Sequence, residues 1–187
     1  FFAALFAWTA AAAAGTVDRT VLLVANPEFS HPVYSSAVLL AMPLPEGGYV
    51  GFMINKPTTA KLAEMFPEHE PSKKISDPVY LGGPAGSNAL FALVQRHGKL
   101  KDRTVQLTPE LFLATEAKDV DKVIESEADR ARFFMGLMLW EPGRLSEELD
   151  AGYWSVIEPD VKLVMRKNTQ GMWEELTRRV SERESGI

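Results

Sequence analysis

LMLWEPGRLSEELDAGYW, residues Leu137 to Trp154, contains a strand end, a break, a short helix and the start of a second strand. The run that leads into it, Phe133 to Trp140, is almost wholly apolar, which predicts a strand buried on both faces. Pro142 lacks an amide donor, which a first helical turn does not need, so we expect a helix to begin there. The stretch therefore predicts a helix enclosed between two strands.

The helix in this stretch has one apolar face. Leu145 and Leu149 are four residues apart and lie on the same side, whereas the acidic residues around them can face water. Gly152 can adopt the left-handed conformation that ends a helix, and Trp154 then opens the second strand. Trp140 and Trp154 flank the helix, and we expect both indoles to pack beneath it as core residues.

Short apolar runs recur along the chain and predict further strands. They are Thr20–Ala25, Ala37–Met42, Tyr49–Ile54, Val79–Leu81, Ala89–Val94, Trp154–Ile157 and Val161–Met165. Helical spacing of apolar residues predicts helices at Thr59–Phe66, Asp119–Ser126 and Thr169–Val180. Several strand pairs lie too close in sequence for crossover helices, and the helices occur mainly late. The pattern favours a single α+β domain with a mixed or antiparallel sheet.

Composition excludes several classes of protein. The chain of 187 residues has a net charge of −5, so it has no electrostatic attraction for nucleic acid or anionic lipid. Its basic residues are scattered and no helix-turn-helix pattern occurs, which argues against DNA binding. Cysteine is absent, which excludes disulfides, thiolate metal sites and a thiol nucleophile. The histidines, His31, His69 and His97, have no metal-ligand spacing, so we expect no metal and no cofactor.

The first residues differ in composition from all that follow. Phe1–Ala14, FFAALFAWTAAAAA, has no charge and is shorter than the roughly 20 residues that span a bilayer as a helix. It is typical of the apolar core of a secretory signal, with small residues at a cleavage site near Ala14. We therefore predict a signal-peptide remnant over residues 1–15 and a mature domain over residues 16–187, periplasmic or exported and without a membrane span. If the segment is not a signal, we expect a cytoplasmic protein.

Three groups of residues together resemble the AlgH/YqgE family of bacterial proteins. They are LLVANPEFSHPVYSSAVLL at residues 22–40; GFMINKP at residues 51–57 followed by LGGP at residues 81–84; and WEPGRL at residues 140–145 with Glu148 and Trp154. Each group is short, but their order and spacing make the match specific.

The resemblance implies an α+β fold with a bifurcated, partly barrel-like and mostly antiparallel sheet surrounded by helices. It implies no particular activity, although the family is often labelled a transcriptional regulator. The chain departs from the family pattern at Leu137 and Leu139, where the family has Tyr and Gly, and at Arg144, which replaces a Gln. If those family positions form a functional surface, this chain presents a changed one.

Nine residues of these motifs form the candidate contact surface. They are Asn55, Lys56, Gly82, Gly83, Pro84, Trp140, Gly143, Arg144 and Glu148. Asn55 can hold the turn after its strand through backbone bonds, or with Lys56 it can bind a carboxylate or phosphate beside the glycine loop. Gly82 and Gly83 can expose amides to an anion, or they can form a tight turn that needs positive φ. We assign no catalytic residue.

Three functions are open on the sequence alone. The first is a non-catalytic binding or regulatory domain that recognises an unknown protein or small-molecule ligand through this surface. The second is a small-molecule enzyme that uses the Gly82-Gly83-Pro84 loop as an anion cradle, with Lys56 or His31 converging on Gly83. The third is a DNA-associated transcriptional regulator, as the family label suggests, which the acidic composition does not favour.

Overall fold

In the computed structural model, which describes residues 19–97 and 104–186, ten strands form one branched sheet. The strands are β1 Val21–Ala25, β2 Val38–Pro43, β3 Tyr49–Met53, β4 Pro57–Lys61, β5 Pro78–Leu81, β6 Ala85–Gln95, β7 Val105–Gln106, β8 Leu111–Ala114, β9 Ala131–Trp140 and β10 Trp154–Ile157. The α-helices are α1 Leu62–Met65, α2 Glu70–Lys73, α3 Ala117–Ser126, α4 Arg144–Asp150, α5 Val161–Val164 and α6 Met172–Glu184. The predicted signal segment, Phe1–Ala14, lies outside the described residues.

Strand β9 is the junction at which the sheet branches. Its first half pairs in parallel with β5, where Tyr80 lies opposite Phe134, and in antiparallel with β6. Its last residues, Met138–Trp140, pair in antiparallel with β3. Gly136 lies between the two halves with φ +69°, a conformation that favours glycine. The other pairs among the described strands are antiparallel, so the predicted mixed, mostly antiparallel and bifurcated sheet is confirmed.

The two branches curl around a shared core that α5 and α6 close. Leu22 and Val24 of β1 belong to this core, together with Phe134 of β9 and Leu176 of α6. The alternate residues of β1 face a second core under α4, because successive side chains of a strand point to opposite sides. Burial on both faces explains why β1 is a continuous apolar run. A third core lies between β6, β8 and α3.

Gly82 and Gly83 bring the end of β5 into contact with the middle of β9. A Cβ atom at Gly82 would lie 2.1 Å from the carbonyl oxygen of Gly136, and one at Gly83 would lie 2.3 Å from the carbonyl carbon of Leu137. Glycine is required here because the two backbones pack so closely. The positive φ predicted for the loop from Gly82 to Ser87 occurs at Gly86, with φ +58°, and not at Gly82 or Gly83.

Most of the predicted elements are present, with two differences. The segment predicted as a helix from Thr59 lies within strand β4 and becomes helical only at Leu62. The predicted strand Val161–Met165 is helix α5. The Asp160 side chain accepts hydrogen bonds from two amides of the first turn and so caps a helix at this point.

Candidate functional site

Helix α4 carries Glu148 to a position between two buried tryptophans. Leu145 packs into the core beneath the helix, and Glu148 lies on the same side because it follows Leu145 by three residues. The Nε1–H group of Trp140 donates a hydrogen bond of 2.9 Å to Glu148 Oε2, and that of Trp154 donates one of 2.8 Å to the same oxygen. Trp140 and Trp154 are 3% and 4% exposed, so the prediction that both are core residues is confirmed.

The Glu148 carboxylate is therefore held in one orientation. Both donors converge on Oε2, whereas Oε1 has no hydrogen-bond partner within residues 19–97 and 104–186. An indole N–H is an uncharged donor, so the two tryptophans position the carboxylate without neutralising its charge. The half-buried side chain thus presents one fixed oxygen to an external hydrogen-bond donor or cation.

Residues 26–36, termed the aromatic loop, connect β1 to β2 and pack against the same site. Phe29 stacks on Tyr153 with ring centroids 4.5 Å apart. The Phe29 ring also makes an edge-to-face contact with the Trp154 ring, with centroids 5.3 Å apart. The loop is therefore attached to the segment that supplies one of the two indole donors.

Tyr34 lies farther along the aromatic loop, in the electrostatic field of Glu148. Burial raises the pKa of the Tyr34 phenol, and the charge on the Glu148 carboxylate raises it further. His31 stacks on the Tyr34 ring with centroids 4.3 Å apart. The His31 Nδ1 atom accepts hydrogen bonds from the backbone amides of Val33 and Tyr34, so the imidazole stabilises a turn of its own loop.

Phe29 and Tyr34 were not among the predicted site residues, and His31 was a candidate only in the enzyme hypothesis. Apolar periodicity does not identify them, because the loop is irregular. The available signal was their density, since Phe29, His31 and Tyr34 occur within six residues between two buried strands.

Asn55 and Lys56 bind the far end of the aromatic loop. The Asn55 side chain accepts a hydrogen bond of 2.8 Å from an amide of β2 and donates one of 2.8 Å to the Ser36 carbonyl. The Lys56 ammonium donates one of 3.0 Å to the Ser35 carbonyl. Burial lowers the pKa of Lys56, and the Glu174 carboxylate partly offsets that effect. Both side chains therefore hold the loop in place.

The backbone of the glycine loop forms hydrogen bonds with neighbouring strands of the sheet. The Gly82 amide donates a hydrogen bond of 2.8 Å to the Met135 carbonyl, and the Gly82 carbonyl accepts one of 3.0 Å from the Met53 amide. Both backbone groups of Gly82 are therefore occupied within the chain, while Pro84 is exposed beside them. The Gly82 amide is therefore not available to bind an anion, as the anion-cradle hypothesis requires.

The structure divides the nine predicted contact residues into two groups. Trp140, Gly143, Arg144 and Glu148 lie at the end of β9 and on α4. Asn55 and Lys56 follow the other end of β3, and Gly82, Gly83 and Pro84 follow β5, with Gly83 packed against the middle of β9. Trp140 pairs with Tyr49, and the six residue-to-residue steps from Tyr49 to Asn55 span about 20 Å at a rise of about 3.3 Å per residue. The aromatic loop connects Asn55 and Lys56 to the site under α4, because Ser35 and Ser36 bond to these two side chains and Phe29 contacts Trp154.

The outer side of α4 is exposed and acidic. Gly143 is its N-cap with φ +87°, and the helix begins at Arg144, two residues later than predicted. Arg144 forms an exposed ion pair of 2.6 Å with Glu147. Glu141 and Asp150 are also exposed, and Arg144 is the one basic residue of the helix. The surface around Glu148 therefore favours a cationic ligand over an anionic one.

The part of the chain that the structure describes lacks two other kinds of feature. No three His, Asp or Glu side chains there are grouped in a way that could hold a metal ion. No helix there is both long and apolar enough to cross a membrane.

Comparison with known proteins gives consistent matches. The model of the AlgH-like family matches residues 22–184. The chain is similar to a UPF0301 protein of Chlorobaculum tepidum, with 28% identity over 155 residues that cover 81% of each chain. It is also similar to a UPF0301 protein of Paraburkholderia phymatum, with 29% identity over 148 residues that cover 76% of this chain and 77% of the relative.

Two solved structures share the fold. The crystal structure of a protein from Corynebacterium diphtheriae gives a TM-score of 0.72 at 21% identity, over 88% of both chains. The solution structure of the AlgH protein from Pseudomonas aeruginosa gives a TM-score of 0.70 at 23% identity, over 86% of this chain and 87% of that one. At these identities the likeness extends to the fold alone.

Proposed function

This chain belongs to the AlgH-like family, and on that premise we propose that it is a non-catalytic binding domain. Its recognition surface is the side of the sheet that carries α4 and the aromatic loop. Its ligand is a cationic group, such as the amine or guanidinium of a partner protein. The observation that carries the proposal is the Glu148 carboxylate, which two indole donors fix by one oxygen while the other oxygen has no partner in the described chain.

Preorganisation supports binding rather than a purely structural role for the second oxygen. A group that is already held in its bound orientation loses little conformational entropy when the ligand arrives. Trp140 and Trp154 come from different strands, and both indoles are locked in the core beneath α4. The carboxylate therefore needs no rearrangement to accept a hydrogen bond at Oε1.

The surroundings of Glu148 also suit a cation that carries apolar groups. Tyr153 is exposed beside it, and the Tyr153 amide donates a hydrogen bond of 3.0 Å to the Glu148 carbonyl. The tyrosine ring is held by stacking on Phe29. A lysine or arginine side chain of a partner can place its alkyl stem on such apolar surface while its charged end reaches the carboxylate.

Titration with a capped tripeptide of lysine or of arginine, followed by NMR, tests the proposal. The indole N–H resonances of Trp140 and Trp154 should shift, because both groups are bonded to the carboxylate that receives the ligand. The indole resonance of Trp173 should not shift, because that group donates to the Ala25 carbonyl. Such a small probe is expected to bind with a Kd near 1 mM.

Glu148→Gln and Glu147→Gln form a matched pair for this assay. Both remove one negative charge from the same helix, and glutamine at 148 keeps an oxygen that the indoles can bond. Glu148→Gln should weaken binding about tenfold, as expected when a charge-assisted bond of about 1.5 kcal/mol is lost. Equal weakening by both changes would show a general charge effect, and an absence of indole shifts would refute the site.

The transcriptional-regulator label leads to a different expectation, which is salt-dependent binding to duplex DNA. The acidic outer side of α4 offers no support for it, because it would repel a phosphate backbone. A filter-binding or fluorescence assay at several salt concentrations separates the two functions. DNA binding that weakens steeply with salt would favour the label over our proposal.

A further inference from the structure

A groove of about 760 Å³ lies between β10 and α6. The last strand of the sheet forms one wall and the helix forms the other. The apolar residues between them include Ile157, Leu163 and Leu176. A smaller cleft of about 330 Å³ continues the groove and shares Asn26 and Ser155 with it. The two together form a trough along the edge of the sheet.

The hydrogen-bond register shows which backbone groups of β10 face outward. Among the described strands, β10 pairs only with β1. The Asn26 amide donates to the Tyr153 carbonyl, so these two residues form a hydrogen-bonded pair. In an antiparallel ladder, hydrogen-bonded pairs alternate with pairs that are not hydrogen-bonded. Ser155 and Ile157 therefore form the next hydrogen-bonded pairs with β1. The Ala25 amide confirms the alternation, because it bonds to β2 instead.

Trp154 and Val156 are the intervening residues, so their N–H and C=O groups point away from β1. None of these four groups has a hydrogen-bond partner in the part of the chain described. Val156 is 42% exposed. An exposed row of unpaired backbone groups is a template for pairing with another strand.

We propose that β10 binds an extended peptide segment of a partner protein, which adds to the sheet as a further strand. This mode of recognition takes its affinity from main-chain hydrogen bonds and its selectivity from pockets for alternate side chains. Thr177 of α6 also lines the smaller cleft that continues the groove.

The shape of the trough favours a single extended chain over a second folded copy. The free edge lies beside α6, and residues of both elements line the groove. A second folded copy would have to bring its own α6 helix to the same edge, whereas an isolated segment brings no such helix.

The charges at the rim indicate that the peptide carries an acidic side chain. Arg183 lies at the groove and forms no ion pair within residues 19–97 and 104–186. Of the acidic residues there, Glu158 is paired with Arg19, and Asp160 accepts the capping bonds of α5. A carboxylate on the peptide would meet an uncompensated guanidinium, which can bind it through two parallel hydrogen bonds.

Amide hydrogen exchange of the full chain tests the register. Without ligand, the amides of Trp154 and Val156 should exchange faster than those of Ser155 and Ile157. The probe is a capped five-residue peptide of alternating valine and threonine with glutamate at its centre. At ten times its Kd it should slow the Trp154 and Val156 amides about tenfold and leave the other two unchanged. The proposal would be overturned if all four amides exchanged at the same rate, or if the probe slowed all four equally.

Alternate N-methylation of the probe distinguishes strand addition from other binding. A strand pairs with β10 through the N–H groups of every second residue. Methylation of one alternate set should abolish binding, and methylation of the other set should leave it intact. Loss of binding with both sets, or with neither, would refute strand addition.

Variants of the protein provide a second readout. Val156→Pro removes an outward amide but no bond to β1, so peptide binding should be lost while the Ser155 amide stays protected. Arg183→Gln should weaken binding of the glutamate probe about tenfold, to the level of a glutamine probe. Arg178→Gln is the matched control on α6, because Arg178 pairs with Glu182 and does not line the groove. Equal effects of the two arginine changes would refute the acidic preference.

A photo-crosslinking amino acid in place of Val156 identifies the occupant directly. Crosslinks to the added peptide support the proposal. Crosslinks to another copy of the chain would instead show an interface between copies. Crosslinks to residues 1–18 of the same chain would show that the trough holds the protein's own segment, and either of these results would overturn the assignment to a partner.

Discussion

Replacing Glu148 with alanine should lower the free energy of unfolding by about 3 kcal/mol. The change removes the acceptor that Trp140 and Trp154 share at 2.9 and 2.8 Å. Each buried donor left without a partner costs about 1–3 kcal/mol, and both indoles are buried. Alanine is the better helix former by a few tenths of a kcal/mol, which offsets the loss only slightly.

Glu147→Ala is the control for this prediction. Glu147 precedes Glu148 on the same helix, but it is exposed, and its one ion pair within residues 19–97 and 104–186 is with the equally exposed Arg144. Ion pairs of this kind contribute about 0.5 kcal/mol or less. The two variants change charge and helix propensity alike, so their difference isolates the bonds to the indoles.

Urea unfolding followed by tryptophan fluorescence measures both variants. With a slope of about 2 kcal/mol per M, the midpoint for Glu148→Ala should fall by about 1.5 M. Trp154→Phe removes one donor, so it should cost less in the Glu148→Ala background than in the natural chain. If Glu148→Ala lies within about 0.5 kcal/mol of Glu147→Ala, the carboxylate does not hold the indoles and the proposed preorganisation fails.

Three further predictions follow from single contacts. In Glu148→Gln the pKa of Tyr34 should fall but stay above its ordinary value, because burial, the larger cause, remains; absorbance titration of tyrosinate measures it. A hydrogen bond from Arg166 lowers the pKa of Glu175 in the folded chain. The contribution of this carboxylate to the free energy of unfolding is therefore fully present above its unfolded pKa, and it is lost as pH falls through the lower folded pKa. Glu175→Gln should therefore flatten the fall in urea stability below about pH 4.5. Gly82→Ala should cost more than about 3 kcal/mol in the same assay, because its Cβ would lie 2.1 Å from a backbone oxygen of β9.

Local patterns predicted those parts of the fold in which burial follows the period of the element. The apolar run of β1 and the spacing of Val120, Val123 and Ile124 in α3 are examples, and all of these residues are buried. The prediction of a strand at Val161–Met165 was wrong because a short apolar run suits a strand and a helix equally well. The preceding Asp160 was the available signal, since aspartate is a preferred N-cap.

Arg132 shows what local patterns could not predict. It is 3% exposed within β9, and its guanidinium donates to the carbonyls of Ile54 and Val164. It also lies 4.0 Å from the centroid of the Tyr80 ring. These partners are far away in sequence, so only the folded chain identifies the arginine as a buried link between β9, β3 and α5.

The candidate site was predictable in its residues but not in its contacts. The motif resemblance singled out Trp140, Glu148 and Trp154, yet it did not indicate that both indoles bond to one carboxylate oxygen. The grouping of Asn55 and Lys56 with these residues needed the aromatic loop, which bonds to both side chains at one end and contacts Trp154 through Phe29. Such relations depend on tertiary placement, which period and composition do not encode.

Strand β10 links the two proposed binding surfaces through one residue. The Trp154 side chain bonds to Glu148 on one face of the sheet, while its backbone groups form part of the free edge. The strand has four residues and one neighbour among the described strands, so it is less firmly held than the central strands. A peptide on the edge would fix the Trp154 backbone and with it the indole that positions the carboxylate. Any coupling between the two surfaces must be reciprocal, because each ligand would then stabilise the geometry that the other requires.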